Sequence, residues 1–508
     1  MILALLYFLL ITWLIYKLPF FKDEQLSSSI IITIISVKVF AAAAYYYIYF
    51  MASQSHGDSY DTLTGAEVMY TSFHHNWIDY IKMLFGLHNE LDTDTLYKTY
   101  FEKINDWSDG KESNYFLLND NRTSIRLNAF IRLFSGGYYA VHALVMLLLS
   151  FAGQWAFYKA FKNYFMHKEK WFAAIVFLTP SILFWSSGVL KEPIALFFTG
   201  FFLLSFFKLF IYKEFKLKTV FVFITSILGF FTIKPYILVI LVIPLMVFYC
   251  VNQFNVKKIG LFYVLAITGI VGVSVFSIKF FLKKDVIQVI VTRQNDFINL
   301  SNGGIFFINN TNYLRLDHRD TAQYTLINKQ EQLYQIKPHT KLMYWKIKHD
   351  NDTIFVNDNM DTTLYRFVSY VIPAGSAIPS QRLEYSVKSF AQLIPMALYN
   401  VVARPYFIHN FSLMKFLATL ENALIICFFM CCFIFRKKQH SDYNLLFLCL
   451  SIVVLSFLLI GLTTTVFGAI VRYKVPFLPF LMMIALIGFD ADKWQQFLRV
   501  KKAKWFKH

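Results

Sequence analysis

Residues Ile30–Phe50, read as IIITIISVKVFAAAAYYYIYF, run directly into Met51–Asp61, MASQSHGDSYD. The first stretch is long and apolar enough to be a membrane helix, and it ends in aromatics. The second is polar and sets two carboxylates, Asp58 and Asp61, just beyond that helix. Gly57 permits a tight backbone ahead of Asp58. A carboxylate fixed at a membrane face, beside low-dielectric surroundings, suits general-base chemistry. The plainer alternative is an acidic residue that caps the next helix.

The 508 residues are 57% hydrophobic and 19% aromatic, with a mean hydropathy of +0.48. A soluble globular chain does not have this composition. Apolar runs of spanning length recur, which predicts an all-α polytopic membrane protein. The short alternating segments of a spanning β-barrel are absent. A formal net charge of +18 would suit a nucleic-acid partner. Much of it, however, sits in short loops between apolar runs, which is the positive-inside pattern, so no nucleic acid is expected. All five cysteines, Cys250, Cys427, Cys431, Cys432 and Cys449, fall in apolar runs and read as packing residues. Met1–Tyr16 lacks a basic leader and a small-residue cleavage site, so it reads as a retained first helix.

About eleven spans are expected, near 2–17, 27–50, 137–158, 171–189, 193–212, 219–233, 236–251, 260–281, 413–435, 444–462 and 470–489. Pro180 and Pro235 shorten or kink three of them. Basic residues then fall on one side: Lys17 and Lys22; Lys159, Lys162, Lys168 and Lys170; Lys213, Lys216 and Lys218; Lys257 and Lys258; Arg436, Lys437 and Lys438; and the tail with Arg499, Lys501, Lys502, Lys504 and Lys507. That side is cytoplasmic, and the loop carrying Asp58 is outside. Three regions follow: a membrane module over 1–282, an outer lid over 283–411, and C-terminal spans with a basic tail over 412–508. Within the first outer loop, 51–136, helical periodicity over 62–85 and again over 93–107 predicts helices lying in the interface. Within the lid, Leu342–Lys348 and Thr353–Val356 flank His349-Asp350-Asn351-Asp352 as a β-hairpin. Gly375-Ser376 is a hinge candidate. Sequons at Asn121, Asn309, Asn351 and Asn410 all fall outside, a pattern too common to establish glycosylation.

Several outer span ends carry a cation in apolar context: Lys191 after PSILFWSSGVL, Lys234 before Pro235, Arg404 before Pro405, and Arg472 with Lys474 in GAIVRYKVPFLP. Cations there run against positive-inside statistics. A shared anionic ligand at the outer leaflet, such as a lipid phosphate, accounts for all of them; Arg grips it bidentately and Lys as a point charge. Local ion pairs, such as Lys191 with Glu192 or an outer-loop carboxylate, are the plainer account, as is snorkelling of Lys234 and Arg472. His74 and His75 are adjacent and point different ways on a helix, so no metal site is expected there. Asp58 with Asp61 is weak support for a divalent ion. Glu421 lies in a span and needs a structural hydrogen-bond partner.

Gly57-Asp58-Ser59, the interface helices after it, Pro180–Glu192 and Arg472–Pro479 together resemble the GT-C superfamily of integral-membrane glycosyltransferases. The resemblance spans most of the membrane part and omits the hairpin loop. It implies a polyprenyl-phosphate-linked sugar donor, no cofactor, and a glycan, lipid or protein acceptor. It also implies Asp58 as catalytic base and Lys191, Lys234, Arg404 and Arg472 as donor-phosphate ligands. Asp61, close to Asp58 in sequence, is the candidate second acid or metal ligand. One departure is visible, since the family usually places its acid after the first span and here it follows the second. The expected setting is a bacterial inner membrane, multi-pass, with the site facing the periplasm or exterior. Two other functions fit the same features: a polysaccharide polymerase or ligase using lipid-diphosphate glycans, and a non-enzymatic lipid-glycan transporter.

Overall fold

A computed structural model describes residues 2–51, 57–87, 99–104, 120–309, 312–316, 324–329, 333–337, 341–346, 351–355, 364–371, 373–378, 380–405, 412–437 and 442–505. The chain divides into two compact units. One comprises Met1–Ile270, Leu417–Ser456 and Lys474–His508; the other comprises Val271–Phe416 and Phe457–Tyr473.

The first unit opens with α1 (Ile2–Lys17), α2 (Ser28–Tyr46), α3 (Asp58–His75), α4 (Trp77–Phe85) and α5 (Asp120–Ser135). It continues with α6 (Tyr139–Phe161), α7 (Glu169–Leu178), α8 (Pro180–Trp185), α9 (Lys191–Phe206), α10 (Leu217–Ile233) and α11 (Pro235–Phe254). Helix α12 (Ile259–Leu282) carries the chain towards α13 (Val286–Asn302) of the second unit. After the strands described below come α14 (Val387–Val402), α15 (Leu413–Ile434), α16 (Tyr443–Thr463), α17 (Phe467–Tyr473), α18 (Leu478–Gly488) and α19 (Ala491–Trp505).

Among the described residues, seven helices have the length and hydropathy of a membrane span, and α17 with α18 makes an eighth if the pair, bent by 60°, counts as one. The chain is therefore a multi-pass membrane protein by helix length and composition. The remaining expected spans take a different form. Those at 2–17 and 219–233 are shorter apolar helices. The one at 171–189 is broken into α7 and α8. Its break has a local cause: Pro180 offers no N–H, and Thr179 before it is extended at ψ 125.

Helix α6 is the axis of the first unit. Most of its side chains are buried, among them Trp155, Tyr158 and Phe161. It meets α9 at a glycine crossing: a Cβ on Gly153 would stand 2.2 Å from the Leu196 carbonyl oxygen, and one on Gly200 only 1.7 Å from that of Gly153. Backbones this close maximise dispersion contact where no hydrophobic force drives helices together.

Around the first outer loop, the helix expected over 62–85 is two helices that break at Asn76. The Asn76 side chain accepts from Ile78 N at 3.1 Å and so caps α4. Gly86 closes α4 in the left-handed region, φ 68. Helices α3, α4 and α5 enclose a small core of Ala66, Met69, Tyr80, Met83, Ile125 and Ala129. Burial pushes the Tyr80 phenol up to about 12, so it stays a neutral donor, to the Ala129 carbonyl at 3.1 Å. Trp77, Ile78 and Phe85 stay exposed on α4. Of the helix expected over 93–107, residues 99–104 alone are described, and they hold a single short turn at Phe101–Lys103.

The second unit contains an antiparallel sheet of strands β1 (Gly304–Asn309), β2 (Asn312–Leu316), β3 (Tyr324–Asn328), β4 (Leu333–Ile336), β5 (Lys341–Lys346), β6 (Asn351–Phe355) and β7 (Leu364–Val371). Their order is β3-β4-β7-β1-β2-β5-β6. The expected hairpin is β5–β6, with Trp345 opposite Asn351; its turn residues His349 and Asp350 lie outside the described residues. The other strands extend that hairpin into a sheet whose core joins Ile305, Phe307, Leu316, Ile336 and Tyr365. Residues 374–378 are tied down at several points: Ala374 N donates to Ser301 O, Ile378 N to Thr465 O, and Ser376 O accepts from Phe467 N. The Gly375-Ser376 hinge candidate is thus an anchored turn.

Gly200→Val should destabilise the protein by about 3 kcal/mol or more, because the added atoms meet backbone rather than a side chain that can move. Gly272→Ala is the control: nothing lies within 4 Å of a Cβ there, and a helical Gly→Ala change stabilises by roughly 0.5–1 kcal/mol. Thermal unfolding of detergent-solubilised variants measures both; equal melting temperatures would deny the crossing its role.

Candidate functional site

Asp58 is the first residue of α3 and is exposed, with Asp61 one turn on and half-buried. Both carboxylates stand in the first turn, where the helix dipole favours negative charge. The plainer expectation, an acid that caps this helix, is met only in place: the cap position is Gly57, with no side-chain cap bond, and the two acids lie in the first turn. Gly57 precedes them in an extended conformation, φ −108 and ψ 172, which any residue adopts, and among the described residues no atom lies within 4 Å of where its Cβ would be. The expected need for glycine there is not met.

What fixes the start of α3 is Ser59. Its hydroxyl is buried, donates to the Val189 carbonyl at 2.8 Å and lies 2.9 Å from the Tyr45 hydroxyl. Tyr45 closes the same corner from α2, since a Cβ on Gly188 would stand 2.6 Å from its ring. The start of α3 is therefore latched to the loop 186–190, from which Lys191 emerges as the first residue of α9. Two stretches singled out in the sequence, Gly57–Ser59 and Pro180–Glu192, are thus brought together.

Lys191 reaches α5. Its ammonium is 2.9 Å from Asp120 Oδ2 and donates to Asn121 Oδ1. Lys234 is buried against Glu192, 2.7 Å from Oε1, with side chains 6% and 0% exposed. Thr123 of α5 donates to the Thr232 carbonyl at 2.8 Å, two residues before Lys234. The N-terminal turn of α5 thus gathers Lys191 and the end of α10. Both lysines carry protein counter-charges, and the partner of Lys191 is Asp120 of the 51–136 region instead of the neighbouring Glu192. A ligand phosphate joining this group would meet two cations and two carboxylates already in balance.

Arg404 and Arg472 belong to the second unit. Arg404 lies over the Tyr399 ring, 5.4 Å from its centroid, a cation–π placement. Arg472 ends α17 and is half-buried. Lys474, two residues on, belongs to the first unit and is 3% exposed. Glu421 is buried and accepts from Ser181 N at 2.7 Å and from Ser181 Oγ, the structural hydrogen bonding expected of it.

Sequence reasoning passed over three buried cations. Lys38, fully buried in α2, donates to Gln154 Oε1 at 2.8 Å and Ser186 Oγ at 2.6 Å. Its signal was a lone charge inside an apolar run. Arg122 and Arg126 are buried in α5, and Arg126 Nε donates to the Met83 carbonyl at 2.9 Å. Their spacing of four residues puts both on one helix face. Among the described residues no three His, Cys, Asp or Glu side chains group as around a metal ion.

Glu192→Gln should destabilise the first unit by about 3 kcal/mol, because it removes a carboxylate counter-charge from a buried ammonium, whereas Glu192→Gln with Lys234→Met should recover most of that loss. Chemical denaturation of the single and double variants decides; a double variant no better than the single one would remove the pair from the account. No family model, no curated protein and no solved structure matches the chain.

Proposed function

We propose that the chain is an inverting membrane glycosyltransferase of GT-C type. It takes a sugar from a polyprenyl-phosphate donor and passes it to a hydroxyl of a glycan, lipid or protein acceptor. The observation that supports the reading is the Ser59 latch to Val189, which sets the Asp58 turn beside the loop that delivers Lys191. An exposed carboxylate and a cation from two separate motifs share one corner of the first unit.

In this reading Asp58 takes the proton of the acceptor hydroxyl as its oxygen attacks the anomeric carbon. The bond from that carbon to the phosphate oxygen breaks, and the lipid phosphate leaves with the electron pair. Lys191 and Lys234 of the first unit, now paired with Asp120 and Glu192, would turn to the charge growing on the phosphate, the term that usually dominates such sites; Arg404 and Arg472, expected in the same role, belong to the second unit. A carboxylate of ordinary basicity suffices, because the hydroxyl loses its proton only as the new bond forms. The reading takes the chain across a bacterial inner membrane about eleven times, counting α1, α10 and the broken α7–α8 as passes. At 1.5 Å per residue the two short helices are roughly 25 Å long, a little under the hydrocarbon thickness. The basic loops are then cytoplasmic, and Asp58 and the β-sheet lie outside.

Asp58→Asn should abolish transfer from a polyprenyl-monophosphate sugar in proteoliposomes while donor binding and melting temperature hold. Near-normal turnover would move the base elsewhere, Asp61 first. A diphosphate lipid as the released product would favour a polymerase or ligase, and lipid flux without a new glycosidic bond a transporter. Arg472→Ala should weaken donor binding and slow turnover together, by about 2–5 kcal/mol if the contact to phosphate is desolvated. Arg472→Lys should recover part of this, since a point charge cannot replace a planar fork. Unchanged lipid-phosphate affinity in Arg472→Ala would reduce the residue to a headgroup anchor.

A further inference from the structure

Helix α13 presents amides where a packed helix normally presents hydrocarbon. Gln294, Asn295 and Asn299 are buried, at 3%, 8% and 5% exposure, beside Ile298. Asn295 and Asn299 are four residues apart and lie on one face. Gln294 is fully used: Leu383 N donates to its Oε1 at 2.6 Å, and its Nε2 donates to the Gln381 carbonyl at 3.2 Å. Those two bonds pin the chain on either side of Arg382. The exposed Arg382 then reaches back to the same helix, and its Nη2 donates to Asn299 Oδ1 at 3.2 Å. Asn295 is the odd member. Among the described residues its Oδ1 has no hydrogen-bond partner.

A buried amide oxygen left without a donor costs about 1–3 kcal/mol, so its retention calls for a ligand. The surroundings narrow the chemistry. An acceptor oxygen needs a donor, so an anion without protons cannot satisfy it. The guanidinium of Arg382 on the adjoining segment repels cations. A neutral hydroxyl meets both demands, because it donates to the amide and accepts from the guanidinium. Side-chain amides and arginine together present donors and acceptors in fixed planes, which suits adjacent hydroxyls of a sugar.

We infer that Asn295, Asn299 and Arg382 form a binding subsite in the second unit for a neutral, hydroxyl-rich ligand, a glycan. Resting on the transferase reading, the subsite gives the acceptor glycan a place to bind. The long bond from Arg382 to Asn299 is the contact a sugar hydroxyl displaces as it enters over Asn295.

Full-length protein in nanodiscs is titrated calorimetrically with maltotetraose, mannotetraose and chitotetraose, and amide hydrogen exchange is followed over 291–302 and 378–386. The inference expects one of these probes to bind and to slow exchange in both segments. Asn295→Leu should weaken that binding about tenfold, the worth of one buried hydrogen bond, while leaving the melting temperature unchanged or higher. Arg382→Gln should weaken it similarly. Binding of no probe overturns the inference and leaves an internal water as the partner of Asn295. Undiminished binding in Asn295→Leu also overturns it, and so does a lowered melting temperature without ligand. No donor lipid is present in the assay, so a failure of transfer and a failure of this subsite are read separately.

Discussion

A cation taken out of water has to meet a counter-charge or a set of acceptors, and that constraint shapes the first unit more than any apolar contact does. Apolar helices in a bilayer can rotate and slide past one another at little cost in hydrophobic energy. Buried cations cannot. Lys38 ties α2 to α6 through Gln154 and to the loop after α8 through Ser186. Lys234 ties the turn between α10 and α11 to Glu192 at the start of α9. Lys168 donates to the Leu486 carbonyl at 2.9 Å, and so binds the start of α7 to the end of α18. Each bond selects one register for helices whose apolar faces would accept several.

Close packing supplies the other half of that specificity. The Gly153–Gly200 crossing fixes α6 against α9 at backbone distance, so the first residues of α9 can shift little. Lys191 and Glu192 sit there. The same helix start thus receives a packing constraint from its middle, an ion pair from α10 and a carboxylate from α5. A site built on such an element keeps its geometry better than one carried on a free loop.

Much of the bundle was legible in the chain, because apolar runs and proline breaks are local signals. Pro180 announced the break between α7 and α8, whereas the cap at Asn76 that divides α3 from α4 was missed inside one helical periodicity. The sheet was not legible beyond its hairpin. GIFFIN of β1 is a short apolar run without alternation, which a strand and a buried helix share, and its partners β2 and β7 are set by pairing across distant segments. Helix α5 escaped for a related reason. Its buried face mixes Arg122, Ser124, Arg126 and Asn128 with Ile125, Ala129 and Ile131, so the apolar stripe is interrupted by polar residues whose burial follows from partners. At the candidate site the residue types were visible, but their pairings were not: nothing local says that Lys191 meets Asp120 or that Ser59 meets Val189.

The Ser59 latch bears on how such a site would keep its base in place. Asp58 is exposed and is the first residue of α3. Control of the helix start comes from the next residue. Ser59 is buried, and its hydroxyl contacts both the Tyr45 hydroxyl and the Val189 carbonyl. One small polar residue therefore joins three elements: α2, α3 and the loop into α9. Tyr45 stacks in turn on Tyr49, 4.8 Å between centroids, and tilts against Phe184 at 5.3 Å. The aromatic end of the opening apolar run thus acts as a wall against which the acidic turn and the loop into Lys191 are both set. The start of α3 and the loop into α9 are joined by a hydroxyl and a ring pair that carry no charge themselves.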